Sequence, residues 1–173
     1  YYAMAAGEAA LERVQRKRAA SPTGSPYSEL PRRWRDDPRT HPCLRPRIAY
    51  RDITNRTNTR TLIAALIPAH CFTVQSAPWL LWLDLQRPAA HEAFLLGVLC
   101  SLAADWWMRR FVETHVEEAA FNALPVPAVD PSTGLAARAV ALAGRLAAPD
   151  ARFAGWAAAV GVTHGPLDAA AKG

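Results

Sequence analysis

Cysteine, lysine and phosphate-cradling glycine loops are what this chain has least of. The three cysteines, Cys43, Cys71 and Cys100, lie far apart and are odd in number. They offer neither zinc-site spacing nor a disulfide framework, so a reducing cytoplasm is expected. His41, His70, His91, His115 and His164 are scattered, with no pair at metal-ligand spacing. There is no G-x-G-x-x-G and no glycine-rich phosphate loop. No serine sits in a G-x-S-x-G elbow. Lysine occurs only at Lys17 and Lys172, away from any acid cluster, so the acid–acid–lysine pattern of a magnesium nuclease is missing. Asp84 and Asp105 stand in apolar contexts and read as caps or satisfied polar groups, not as catalytic carboxylates. These absences argue against a self-sufficient enzyme. No apolar run reaches the roughly 18 residues of a membrane span. The longest, residues 93–104, is interrupted at Gly97 and Ser101, and residues 1–10 lack the pattern of a signal peptide.

What the chain does have is arginine. The formal net charge is +5, and almost all the positive charge is guanidinium. Abundant Ala and Pro beside it would fit plain codon bias, but the distribution is uneven. Arg32, Arg33, Arg35, Arg39, Arg45, Arg47, Arg51, Arg56 and Arg60 fall within a third of the chain, opposed there only by Asp36, Asp37 and Asp52. A clustered basic region is the electrostatic footprint of a polyanion binder. Charge alone does not choose among DNA, RNA and an acidic protein.

The most informative stretch is residues 47–68. Ile48, Tyr50 and Asp52 alternate with Ala49, Arg51 and Ile53 at strand period. Asn55 to Thr59 is a run of Asn, Arg and Thr, residues that bond to their own backbone and favour turns. Residues 61–67 form a second apolar run, closed by Pro68. A hairpin is predicted, with Arg47, Arg51, Asn55, Arg56, Asn58 and Arg60 on one strand and its turn. Guanidinium can pair bidentately with guanine and the Asn amide with adenine. A solvated hairpin on an Arg-rich protein would look the same.

The fold class expected is α+β: a small mixed or antiparallel sheet packed by a long helix, with flanking helices. Residues 1–20 read as a helix ending something larger, with residues 3–19 helical. Residues 21–46 read as a Pro/Arg-rich linker that Trp34 anchors to a surface. Residues 47–129 form the core, with strands at 47–53, 61–67, 71–75, 79–85 and 121–129. Its helix, residues 91–111, should face the core with Leu95, Val98, Leu99, Leu102 and Trp106. Arg109 and Arg110 close that helix, as its dipole favours, and join the candidates for DNA contact. Residues 130–173 form a helical extension, with Leu135, Val140, Leu142 and Leu146 on its apolar face.

Three separated patches carry a resemblance. They are Pro46-Arg47-Ile48-Ala49-Tyr50-Arg51-Asp52-Ile53-Thr54-Asn55 with Asn58-Thr59-Arg60-Thr61 and Leu66-Ile67-Pro68; Phe94-Leu95-Leu96-Gly97-Val98-Leu99 with Ser101, Asp105 and Arg109-Arg110; and Asn122-Ala123-Leu124-Pro125-Val126-Pro127. Together, over residues 46–127, they resemble the C-terminal region of large bacterial type II restriction–modification and phage-defence methyltransferases that modify adenine N6. In that family the region is the target recognition domain, which follows the methyltransferase domain and presses double-stranded DNA against it. The family's Asn-Pro-Pro-aromatic motif and its cofactor glycine motif are absent here. The resemblance therefore implies a recognition part whose methyltransferase, and its S-adenosylmethionine, lie upstream of Tyr1, with no cofactor in this chain. No family-wide set of base-reading residues carries over, because such domains differ where they read sequence.

Two other functions compete with a DNA target recognition domain. One is a docking module of a methylase without DNA contact, which Trp79, Trp82, Trp106 and Trp107 would serve if exposed opposite a neutral hairpin. The other is a small hydrolase, for which no cluster of acids or histidines is evident.

Overall fold

A computed structural model of the chain describes residues 3–5, 7–20, 28, 30–82 and 88–167. Its strands are β1 (Ala3–Ala5), β2 (Arg47–Tyr50), β3 (Ala64–Ile67) and β4 (Cys71–Thr73). Its helices are α1 (Glu8–Ala19), α2 (Arg32–Arg35), α3 (Ala89–Leu99), α4 (Leu102–Met108), α5 (Glu118–Asn122), α6 (Gly134–Ala147) and α7 (Ala154–Val160). The fold is α+β. β2 pairs antiparallel with β3 in the register Arg47 to Ile67 and Tyr50 to Ala64, and β1 pairs antiparallel with β4. On the other side of β2 runs residues 76–80. Leu80 N–H donates to the Ile48 carbonyl and Tyr50 N–H to the Pro78 carbonyl, both at 2.9 Å. The strand expected over 79–85 begins there; its residues 83–85 lie outside the described residues.

One core serves the chain from the hairpin to α7. Ile48, Tyr50, Leu62 and Leu66 meet Ala93, Leu96 and Leu99 of α3, and Val140, Phe153 and Trp156 from the C-terminal helices join the same cluster. Tyr50 stacks on Phe121 with ring centroids 4.1 Å apart. α3 and α6 approach closely: a Cβ on Gly97 would stand 3.2 Å from the Ala143 Cβ. The C-terminal helices thus cover the core helix and share its packing. The Pro/Arg stretch is also packed from Leu30 onward: Leu30, His41 and Cys43 are buried. Buried Arg18 of α1 donates from Nη2 to the Trp34 carbonyl at 2.9 Å, tying α1 to this stretch.

Four expectations need correction. Residues 3–5 are strand, not helix; α1 starts at Glu8 after Gly7, and β1 is claimed by the open edge of β4. The long helix is broken. Ser101 caps α4, its hydroxyl accepting from Ala104 N–H at 3.1 Å, in the manner of an N-cap serine. The break re-aims α4, so Leu102 and Trp106 face solvent, while Ala104, Asp105 and Met108 face inward. Phe121 lies in α5, and residues 123–130 are irregular; Pro125 and Pro127 have no N–H to give a ladder. On α6 the inward face is Val140, Ala143 and Gly144, whereas Leu135, Leu142 and Leu146 are exposed.

The broken helix has a measurable consequence. Leu99 is 1% exposed and Leu102 is 76% exposed. Leu99→Ala should lower the unfolding free energy by about 2–5 kcal/mol. Leu102→Ala should change it by no more than about 0.5 kcal/mol. Urea titration of both variants checks this; equal losses would mean one continuous stripe.

Candidate nucleic-acid interface

Residues 51–63 join β2 to β3, and their backbone is tied to itself before anything else touches it. Asn58 N–H donates to the Asn55 carbonyl at 3.1 Å, a β-turn that starts at an asparagine. The Asn55 Oδ1 accepts from Thr57 N–H and from the Thr57 hydroxyl, each at 2.9 Å. Buried Thr54 donates from Oγ1 to the Thr61 carbonyl at 2.9 Å, and Thr61 donates back to the Asn55 carbonyl at 3.2 Å. The stem is held from outside by residues 114–116: Thr54 N–H donates to Thr114 O at 3.0 Å and Val116 N–H to Asp52 O at 2.9 Å. His115 Nδ1 and Asp52 Oδ2 are 3.0 Å apart.

α4 then clamps this loop. Asp105 has a side chain 5% exposed. Its Oδ1 accepts from the N–H groups of Thr61 at 2.7 Å and Leu62 at 2.9 Å, and its Oδ2 accepts from Arg109 Nε at 2.8 Å. Burial pushes the Asp105 carboxyl up. The Arg109 hydrogen bond and the two backbone donors outweigh that and hold it below the usual carboxylate range. Arg109 reaches on across the loop: Nη1 to the Arg56 carbonyl at 2.8 Å, and Nη2 to the Asn58 and Thr59 carbonyls at 2.8 and 2.6 Å. Arg60 donates from Nη2 to the Cys100 carbonyl at 2.6 Å, at the C-terminal end of α3 where a cation is favoured.

The structure sorts the eight candidate residues into three kinds. Arg47 is interior, 4% exposed, with Nη2 on the Cys71 carbonyl at 2.7 Å and its guanidinium 5.5 Å from the Trp79 ring centre. It stands apart from the loop surface. Arg51, Asn55, Asn58, Arg60 and Arg109 shape the loop. Arg51 Nη2 meets the Thr54 hydroxyl at 3.1 Å and the Asn58 amide oxygen, in the orientation its neighbours favour, at 3.1 Å. Arg109 has committed the Nε donor, one Nη1 donor and both Nη2 donors, so no two-pronged edge is left for a phosphate. Arg56 and Arg110 point outward. Arg56 is exposed, and its guanidinium has no partner among the described residues. Arg110 is exposed and lies 5.3 Å from the centre of the Trp106 ring. Thr54 and Thr61 tie the loop's backbone and Ser101 caps α4, bonds that residue type alone does not reveal. The i,i+4 spacing of Asp105 and Arg109 was the available signal for the clamp.

Among the described residues, no group of three His, Cys, Asp or Glu side chains is placed to hold a metal ion, and no helix is long and apolar enough to cross a membrane. Compared with family models, with curated proteins and with solved structures, the chain matches none.

Loss of the Asp105 carboxylate leaves two N–H groups and the Arg109 guanidinium without their acceptor and removes the ion pair with Arg60, whose Nε lies 3.6 Å from Oδ1. Asp105→Ala should cost about 3 kcal/mol of stability. The carboxyl is held low in the folded chain, so its contribution is present above the unfolded Asp pKa of about 3.9 and is lost as pH falls through the folded value. Thermal melting from neutral to acid pH should therefore show the wild type losing its advantage over Asp105→Ala only in acid. An advantage that fell between pH 6 and 8 would point to another group.

Proposed function

We propose that this chain is a DNA target recognition domain, acting beside an adenine-N6 methyltransferase domain that supplies S-adenosylmethionine chemistry. The observation that carries the reading is the clamped loop. Asp105 and Arg109 fix residues 55–62 from below, and Arg56 stands free on its outer side. A loop that grips DNA works best when its order is already established before binding. Arg56 and Arg110 are the phosphate or guanine contacts, with Thr57 and Thr59 exposed between the fixed carbonyls. Arg51, Asn55, Asn58, Arg60 and Arg109 set the loop's shape, and Arg47 supports the hairpin from inside. The parent enzyme would flip an adenine for methylation while this part supplies sequence choice and grip on the duplex. Such a partner places the protein in the cytoplasm. The chain alone should neither bind S-adenosylmethionine nor transfer a methyl group.

A docking module of a methylase is the second reading, favoured by one observation. Exposed Leu142 and Leu146 flank an apolar groove of about 510 Å³ lined also by Ala64, Leu66, Leu96 and Phe153. That face is where a neighbouring protein domain would sit, and it is compatible with DNA on the loop.

Phosphate and base contacts separate on salt and sequence. If Arg56 holds a phosphate, Arg56→Ala should weaken binding to all duplexes alike and reduce the log–log salt slope by about 1. If it reads guanine, the loss should be about 1–3 kcal/mol on the cognate site and small elsewhere. Anisotropy titrations at several salt concentrations decide, with the methylase-bearing parent as a second host. Unchanged affinity, slope and site preference in Arg56→Ala and Arg110→Ala together would transfer the lead to docking.

A further inference from the structure

Next to the clamp stands an aromatic residue that neither the core nor the loop uses. Trp106 is 61% exposed, between Leu102 at 76% and Phe111 at 51%. It follows Asp105 by one residue, about 100° further round a helix of 3.6 residues per turn. The indole therefore points away from the side on which Asp105 meets the loop. Burial does not explain it, since Met108 and Ala104 supply the inward face of α4. Its polar surroundings are cationic. The Arg110 guanidinium lies 5.3 Å from the ring centre, and Arg109, one helical turn on, holds the Arg56 carbonyl. The acids nearest in sequence are Asp105, buried and bonded to Arg109, and exposed Glu113, beyond Phe111.

An exposed indole beside the Arg110 guanidinium has two obvious uses. A protein partner would bury the indole and would need acids of its own to pair with the outward arginines. A nucleic acid uses both: phosphates take the guanidiniums, and a base takes the ring face. Base–aromatic stacking is tolerant of base identity because every base has a π-face. Apolar and aromatic side chains also wedge between base steps and partly unstack them. The charge favours the nucleic acid.

We infer that Trp106 is the stacking residue of this interface: it takes the face of an unpaired or displaced base while Arg56 and Arg110 hold the flanking backbone. This rests on the DNA-recognition reading and adds a preference that reading does not contain. The domain should bind a duplex carrying one unpaired base more tightly than the same duplex fully paired. It also gives the domain a part in the parent reaction, that of stabilising DNA opened by removal of a base from the stack.

The test uses the whole chain and two labelled duplexes of one sequence, one fully paired and one carrying a single unpaired fluorescent adenine analogue. Wild type should bind the second more tightly and quench the analogue. Trp106→Ala should lose about tenfold in affinity for the unpaired duplex, together with the quenching, and far less for the paired one. Trp106→Phe should recover most of both, and the salt slope should stay as in wild type. Because Trp106 is exposed, both variants should melt as wild type does. Equal affinity of wild type for the two duplexes, or an equal loss on both in Trp106→Ala, overturns the stacking role while leaving DNA recognition standing. Failure of the wild type to bind either duplex overturns both.

Discussion

A single carboxylate decides the shape of the face this chain presents. Asp105 sits within α4 with its side chain almost wholly buried, and its two oxygens accept from Thr61, Leu62 and Arg109. A buried carboxylate is costly unless donors surround it, and here two are backbone N–H groups of the loop itself. The charge therefore cannot be satisfied unless residues 61–62 lie against α4. Once they do, Arg109 is aimed at the carbonyls of Arg56, Asn58 and Thr59. The order of residues 55–62 follows from the need to pair one negative charge.

The same pairing divides the arginines. A guanidinium has five N–H donors in a rigid fork, so one bonded to several carbonyls contributes rigidity, while one that points outward keeps its donors available. Arg109 and Arg60 belong to the first group. Arg56 and Arg110 belong to the second, and the Arg110 guanidinium lies over the exposed ring of Trp106. A dense arginine cluster thus becomes a small number of outward cations on a rigid frame.

The apolar residues are divided by a similar local event. Ser101 caps α4 and interrupts what would be a continuous amphipathic helix. Leu96 and Leu99, before the break, enter the core; Leu102 and Trp106, after it, do not. The C-terminal helices behave alike. Val140 and Ala143 of α6 pack inward against α3, leaving Leu142 and Leu146 beside an open groove. Two faces result, one cationic and aromatic, the other aliphatic.

Much of the architecture was legible in the residues. The alternation at Ile48 and Tyr50, the Asn/Thr run and Pro68 marked a hairpin, and helical spacing placed Leu99 in the core, because period and turn chemistry are local properties. The α+β class followed from the order of those elements. The sequence by itself therefore determined where the hairpin, its loop and the core helix lie, and that arginine is concentrated there. It could not determine which way each guanidinium points. Arg47 faces inward because the carbonyl of Cys71 and the ring of Trp79 come to it from other elements. Arg109 turns to the loop because Asp105 draws the loop beneath it. The Cys71 carbonyl is 24 residues from Arg47 along the chain, and the Arg56 carbonyl is 53 from Arg109. Only the tertiary structure brings them together, and direction is what separates an arginine that builds the site from one that uses it.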